Sequence, residues 1–190
     1  MPLRASLLIC MALLLSACAH KLDRQTCMAL AQGVDYCLAP LPDSAPVSQS
    51  QLVKLKVKQA WHQLLSQLDL TPESLTLVGL APLGQPLFTL SYDGQRLISE
   101  QSVLLGDQFK AEYLLGLLQL IYWQPEDVNH HLQGATLADY ACDAAYCRRL
   151  YASDGETIMD IRYSRTSPWT AEVTLEFHQA QLTLNIQPLE

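Results

Sequence analysis

The sequence predicts an α+β fold in which one curved antiparallel β-sheet wraps around a central apolar helix. Three observations carry this prediction. Apolar and polar residues alternate with a period of two before residue 101 and again after residue 134. A single leucine-rich segment, 109–123, lies between these two regions. Asp-Gly pairs at 93–94 and 154–155 predict tight turns of the kind that join neighbouring antiparallel strands.

The strand assignments follow from the alternation. Val53, Leu55 and Val57 alternate with lysines, which is typical of a strand with one buried face. Segment 61–70 fits either a strand or a helical turn. The same alternation predicts further strands near residues 75–80, 88–92, 159–163, 169–177 and 182–186.

The segment 109–123 is apolar nearly all round, so a helix here must be covered on most sides. It is too short to cross a bilayer, and we therefore expect a cover of protein, or of protein and a lipid-like ligand. Pro125 and the acids after it predict the start of a second helix. The residues expected to line an apolar groove beside the first helix are Tyr113, Leu114, Leu117, Leu118 and Ile121.

Residues 1–17 have the pattern of a secretion signal, with Arg4 followed by a short apolar run and then small residues. The tetrad Leu15-Ser16-Ala17-Cys18 resembles the bacterial lipobox. This resemblance implies cleavage before Cys18 and lipidation of its thiol. Because Ala19 is not the Asp that would signal inner-membrane retention, we expect attachment to the periplasmic face of the outer membrane. The alternative is an ordinary secreted protein with a cysteine beside its cleavage site.

Removal of residues 1–17 would leave 173 residues, with 11 basic and 19 acidic side chains and a net charge of −8. This acidity argues against a nucleic-acid partner. Residues 18–50 include three prolines within 38–46, and they predict a lipidated tether with little core of its own. Residues 51–190 are expected to form one sheet domain.

Four cysteines remain beside Cys18 once the signal is removed, and an oxidising periplasm favours two disulfides among them. Three pairings are possible, of which local closure is the simplest: Cys27 with Cys37, and Cys142 with Cys147. A zinc site is the competing interpretation, but neither cysteine gap has the usual zinc-site spacing. We therefore predict no metal site.

No catalytic motif is present: the sequence lacks a nucleophile elbow, a zinc-protease helix and a phosphate-binding loop. Asp139, Asp143, Arg148 and Arg149 flank the second cysteine pair and are interpreted as exposed charges at strand ends. The sequence therefore predicts no catalytic residues and no cofactor, and a protein that is not an enzyme.

The order of elements resembles that of the lipoprotein-localisation proteins LolA and LolB. This resemblance implies a half-barrel that receives acyl chains, and it covers about residues 51–190. Leu80-Ala-Pro-Leu-Gly84 is similar to the Pro-Leu-Gly loop of LolB, which implies that Leu83 contacts the membrane.

A closer resemblance is to a family of bacterial lipoproteins often encoded beside aryl-polyene biosynthesis genes. Three segments carry it: Leu77–Phe88, Leu118–Pro125 and Arg148–Leu150. Together the patterns predict a protein that binds or transfers an apolar ligand, such as a lipid, a lipoprotein acyl chain or a polyene lipid. The alternative is a structural adaptor that fills its own groove and docks a membrane-protein partner.

Overall fold

The computed structural model describes residues 20–105 and 109–189. The predicted signal peptide and Cys18 lie outside these residues. The strands are β1 His20–Arg24, β2 Cys27–Ala31, β3 Val34–Cys37, β4 Val47–Val57, β5 Ala60–Leu70, β6 Leu75–Leu80, β7 Pro86–Tyr92, β8 Leu97–Gln101, β9 Leu132–Gln133, β10 Ala135–Asp139, β11 Tyr146–Ala152, β12 Thr157–Tyr163, β13 Val173–Phe177 and β14 Leu182–Pro188. The helices are α1 Ala111–Tyr122 and α2 Pro125–Asn129, with single 3-10 turns at Val103–Leu105 and Pro168–Thr170.

Most of the chain forms one antiparallel sheet of eleven strands, in the order β1-β8-β7-β6-β5-β4-β14-β13-β12-β11-β10. Consecutive hairpins build its two halves, β4–β8 and β10–β14, and the pairing of β4 with β14 joins them. The edges β1 and β10 do not pair with each other, so the sheet is open. The prediction of a mainly antiparallel sheet with few helices is confirmed.

The ambiguous segment 61–70 is strand, because β5 pairs along its whole length with β4. The segment predicted as a strand at 169–177 begins later, at Val173, because Pro168–Thr170 forms a 3-10 turn. Both Asp-Gly turns are present, and Gly94 and Gly155 have the positive φ angles that such turns require.

Residues 20–50 differ from the tether that the sequence predicted. β1 pairs with β8 in the main sheet, while β2 and β3 form a smaller sheet with β9. Met28, Val34 and Tyr36 are buried in the core, and so are Leu38 and Ala39 at the start of the proline-rich loop. The buried apolar residues of this region therefore pack on the domain, and the prolines lie in a loop that is docked on it instead of a free spacer.

Helix α1 is buried except at Tyr113 and Leu114. Gly116 allows the helix to approach β2 closely, since a Cβ at this position would lie 2.6 Å from the Sδ atom of Met28. The apolar character of the helix on nearly all sides is explained by this close packing.

Candidate functional site

One face of the eleven-stranded sheet is mainly apolar, and we call it the inner face; its buried polar side chains are Gln51, Ser66, Ser99 and Arg148. The strand registers align its side chains across neighbouring strands. Its buried apolar members are Val53, Leu68, Leu70, Leu75, Leu77, Phe88, Leu90, Tyr92, Leu97, Leu137, Leu150, Met159, Ile161, Tyr163, Val173, Leu175, Phe177, Leu184 and Ile186. Such a surface is suited to apolar packing partners.

Arg148 holds the carboxyl end of α1 against the inner face. Its Nη1 atom donates to the backbone carbonyls of Ile121 and Trp123, at 2.9 and 2.7 Å. Tyr163 donates to the same Ile121 carbonyl at 2.6 Å. Burial raises the pKa of Tyr163 far above its ordinary value, so its hydroxyl keeps the proton that it donates. These bonds satisfy carbonyls that the helix itself leaves unpaired.

Arg148 is therefore not the exposed strand-end charge that the sequence predicted; only 2% of its side chain is exposed. Its Nε atom donates to the nearby Tyr146 hydroxyl at 2.8 Å, but the acceptors on α1 are backbone carbonyls of residues 25 and 27 positions away. Such distant backbone partners leave no local signal in the sequence.

A second polar contact fixes the opposite side of α1. Gln119 accepts hydrogen bonds from the Tyr36 hydroxyl at 2.7 Å and from the Ala39 amide at 2.8 Å, and it donates to the Ala39 carbonyl at 2.9 Å. Burial raises the pKa of Tyr36, which keeps the hydroxyl a donor. One buried glutamine thus ties the helix to the loop that follows β3. In the sequence, this contact is indicated by one amide side chain within an otherwise apolar helix.

The five predicted groove residues fall into two groups. Leu117, Leu118 and Ile121 are at most 6% exposed, so protein atoms already cover them. Tyr113 and Leu114, one turn nearer the amino end of α1, are half-buried. Any apolar ligand beside α1 has therefore to lie near the amino-terminal half of the helix.

The inner face is also less covered toward one end of the sheet. Along β14, Ile186 and Leu184 are buried but Leu182 is half-buried. Along β4, Val53 is buried while Leu55 and Val57 are half-buried. Leu182 pairs with Val57, so the partly covered residues of both strands lie at the same end. We call this the upper end of the sheet; it is the end at which β4 finishes and β5 and β14 begin.

Leu83 lies in a turn at the upper end and is 93% exposed. The turn is closed by hydrogen bonds from the Gly84 amide to the Ala81 carbonyl and from the Ala81 amide to the Gln85 carbonyl. Gly84 has a φ of +81°, which glycine adopts without strain. A short closed turn of this kind holds the leucine side chain out in solvent.

Two more large apolar side chains are exposed at the upper end. Val103 follows β8 and is 85% exposed; the Ser102 amide before it donates to Leu87 at the start of β7. Trp61 lies near the tip of the β4–β5 hairpin and is 59% exposed, with the Lys56 ammonium 5.5 Å from its ring centroid. The hairpin extends beyond the last pair between β5 and β6, which is Leu65 with Leu80. Three of the four large apolar residues that are exposed in the described part of the chain thus lie at the end where the inner face is least covered; the fourth, Leu189, follows β14 at the opposite end.

The two disulfides join Cys27 to Cys37 and Cys142 to Cys147. The first links β2 and β3 directly across their register, and the second closes the connection between β10 and β11. Both disulfides have the local pairing that was the simplest of the three possibilities in the sequence. Within residues 20–105 and 109–189, no three His, Cys, Asp or Glu side chains form a group that would hold a metal ion.

An ionic cluster that sequence reasoning missed lies on the outer face of β11–β13. Asp160 binds Arg149 at 2.5 Å, His178 at 2.9 Å and the Tyr140 hydroxyl at 3.1 Å. Burial alone would raise the pKa of Asp160, but these hydrogen bonds outweigh it and hold the pKa below its usual value. Arg149 also stacks on the ring of Tyr140, 4.0 Å from its centroid. No nucleophile completes this cluster, and its groups bind one another.

Two surface depressions, of about 340 and 290 Å³, are lined by mixed polar and apolar residues. One contains Ser164, Arg165 and Glu172; the other contains Lys54, Glu172 and Asn185. Neither has the apolar lining expected of an acyl-chain site. No helix within the described ranges is both long enough and apolar enough to cross a membrane.

The fold and these surfaces define a class of protein: an open antiparallel sheet with an apolar inner face, a buried helix and exposed apolar residues at one end. A family model described as a protein of unknown function, DUF3261, matches residues 48–190, and the chain belongs to this family. The predicted membership in a family of unknown function is thereby confirmed. No curated protein sequence matches the chain.

The chain is also similar to a solved structure, the LolA superfamily protein NE2245 from Nitrosomonas europaea. The TM-score is 0.42 at 8% sequence identity, with 80% of this chain and 86% of that chain covered.

Proposed function

We propose that the protein is a lipoprotein anchored through Cys18 to the periplasmic face of the outer membrane, and that it binds or transfers an apolar chain. The chain would be a lipid, a lipoprotein acyl chain or a polyene lipid. In this proposal the sheet is a half-barrel around α1, and the ligand enters at its upper end. The protein acts by binding, without catalysis or a cofactor.

The observation that carries this proposal is the uneven cover of the inner face. Leu55, Leu182 and Leu114 keep apolar surface accessible, whereas equivalent residues further along the same elements are buried. Apolar surface that is left partly uncovered next to a packed core favours an apolar ligand, because burying that surface stabilises the complex. Leu83, exposed at the same end, supports contact with the membrane from which the ligand would come.

A binding experiment tests the proposal. The lipidated mature protein is titrated with a fatty acid carrying an anthroyloxy fluorophore. We expect saturable binding that is weakened at least tenfold by Leu114→Trp, because the larger ring fills the accessible region. The matched control is Leu41→Trp, a half-buried leucine in the loop after β3. Equal weakening by both substitutions, or no saturable binding by the unaltered protein, would contradict the proposal.

One observation favours a second candidate, a structural adaptor with a self-filled groove. Leu117, Leu118 and Ile121 are covered by the protein itself. If the unaltered protein binds no apolar probe, an adaptor that docks a membrane-protein partner becomes the better account. Cross-linking of the membrane-anchored protein in cells would then identify that partner.

A further inference from the structure

The start of β1 lies at the upper end of the sheet. His20 pairs with Gln101, the last residue of β8, and Val103 follows two positions later. Only Ala19 separates His20 from Cys18 in the sequence. Two residue steps span at most about 7 Å, so a lipid on Cys18 would hold the upper end within about that distance of the bilayer surface.

The lysines are concentrated at the same end. The chain has five, and Lys54, Lys56 and Lys58 lie on or just after β4 at the hairpin, while Lys110 precedes α1. Phe109, beside Lys110, stacks on Phe88 near the start of β7, with ring centroids 5.0 Å apart. This contact places the amino end of α1 at the upper end as well. Lys21 follows His20 at the start of β1, so all five lysines of this acidic protein lie at or near the end with the exposed apolar residues.

Trp61 and Lys56 form a pair suited to a membrane interface. Lys56 lies over the Trp61 ring, and Lys58 occupies the hairpin tip with a positive φ of 55°. Tryptophan prefers the headgroup region of a bilayer, and lysine extends its ammonium to the phosphates. The acids Asp154 and Glu156 also lie at the upper end, in the turn between β11 and β12, but β14 and β13 separate this turn from the β4–β5 hairpin.

We propose that the upper end is a docking surface for an anionic phospholipid bilayer, with Trp61, Leu83 and Val103 in the interface and the hairpin lysines on lipid phosphates. The inference rests on the lipidation of Cys18 in the proposed function. It adds that the domain lies directly on the membrane in one orientation. The uncovered part of the inner face then opens toward the lipid, which shortens the path of an apolar chain between membrane and protein.

The test uses the lipidated mature protein in vesicles that contain brominated phosphatidylcholine, with or without phosphatidylglycerol. Bromine quenches tryptophan fluorescence only at close range. Trp123 is buried and Trp169 stacks on Tyr122, so Trp61 is the ring placed to report contact. We expect stronger quenching in the anionic vesicles, and loss of this difference in Trp61→Phe.

Neutralising two lysines tests the role of charge. Each lysine near an anionic surface favours the bound state about fivefold, so Lys56→Gln with Lys58→Gln should lower the ratio of docked to undocked protein about 25-fold. The matched control is Arg162→Gln with Arg165→Gln, which removes two charges near the end of β12, away from the hairpin. This control should leave the quenching unchanged.

Quenching that is equal in both vesicle types, or reduced equally by both double variants, would overturn the docking surface. Binding of the labelled fatty acid is measured on the same samples. Intact fatty-acid binding with no Trp61 quenching refutes docking alone, whereas loss of saturable fatty-acid binding in the unaltered protein refutes the proposed function. A mature protein whose mass lacks the lipid refutes the anchor on which both rest.

Discussion

The guanidinium of Arg148 donates to the backbone carbonyl of Ile121 at 2.9 Å, and this contact joins strand β11 to the last turn of α1. Only 2% of the Arg148 side chain is exposed. A cation at a helix carboxyl terminus is favourable because the free carbonyls there carry partial negative charge. The charge thus has a structural role in holding the helix on the sheet.

Replacement of Arg148 by Met should therefore destabilise the protein strongly. The substitution leaves the buried Trp123 carbonyl without a donor, and it removes one of the two donors to the buried Ile121 carbonyl. We expect a loss of about 2–4 kcal/mol in the free energy of unfolding, measured by urea denaturation. Arg162→Met is the control, because its ion pair with Glu176 is 40% exposed on both sides and should contribute about 0–1 kcal/mol. Similar losses in the two variants would contradict this role of Arg148.

Gln119→Leu should also destabilise the protein, since it removes three hydrogen bonds to Tyr36 and Ala39. We expect a loss of about 2–4 kcal/mol, because the Ala39 amide stays buried without a partner and the Ala39 carbonyl keeps only the Tyr92 hydroxyl as a donor. A double-mutant cycle with Tyr36→Phe measures the Tyr36–Gln119 bond alone. A coupling energy near zero would show that this bond does not stabilise the fold.

Asp160 predicts a component of acid sensitivity. Its pKa is lowered in the folded protein, so it stabilises the fold above the unfolded-state value of about 3.8. That contribution is lost as the pH falls through the lower, folded-state pKa. Asp160→Asn should lower stability at neutral pH and flatten the fall in stability in the acid range. Parallel pH–stability curves for the two proteins would contradict the prediction.

The disulfides should contribute separately. Loop-closure entropy predicts a loss of about 2 kcal/mol for Cys142→Ser with Cys147→Ser, and about 3 kcal/mol for the Cys27–Cys37 pair. Thermal unfolding with and without reductant measures both. The reductant should have no further effect on a variant that lacks all four cysteines.

Leu83→Glu tests the membrane contact. The side chain is exposed, so we expect a stability change within about 0.5 kcal/mol. Transfer of a labelled acyl ligand to vesicles should slow by about tenfold or more, because a leucine no longer enters the apolar layer. Gln85→Glu, in the same exposed turn, is the matched control for added charge. Unchanged transfer by Leu83→Glu would remove Leu83 from the mechanism.

The sheet was predictable because its period-two pattern is local. Val53, Leu55 and Val57 specify a strand and its inner face without knowledge of any partner. The tether prediction for residues 20–50 failed because that region is short and interrupted, and its strands are defined by distant pairing with β8 and β9. The buried roles of Arg148 and Gln119 depend on contacts 25 or more residues apart. Such contacts follow from the fold and not from the local pattern.

The central claim is that an apolar chain binds beside the amino-terminal half of α1. Native mass spectrometry of the lipidated protein, extracted gently from bacterial outer membranes, tests it most directly. We expect a population that carries one co-purifying lipid-like molecule in addition to the Cys18 anchor, and loss of that population in Leu114→Trp but not in Leu41→Trp. A single apo mass for the unaltered protein, under conditions that keep it folded, would contradict the claim.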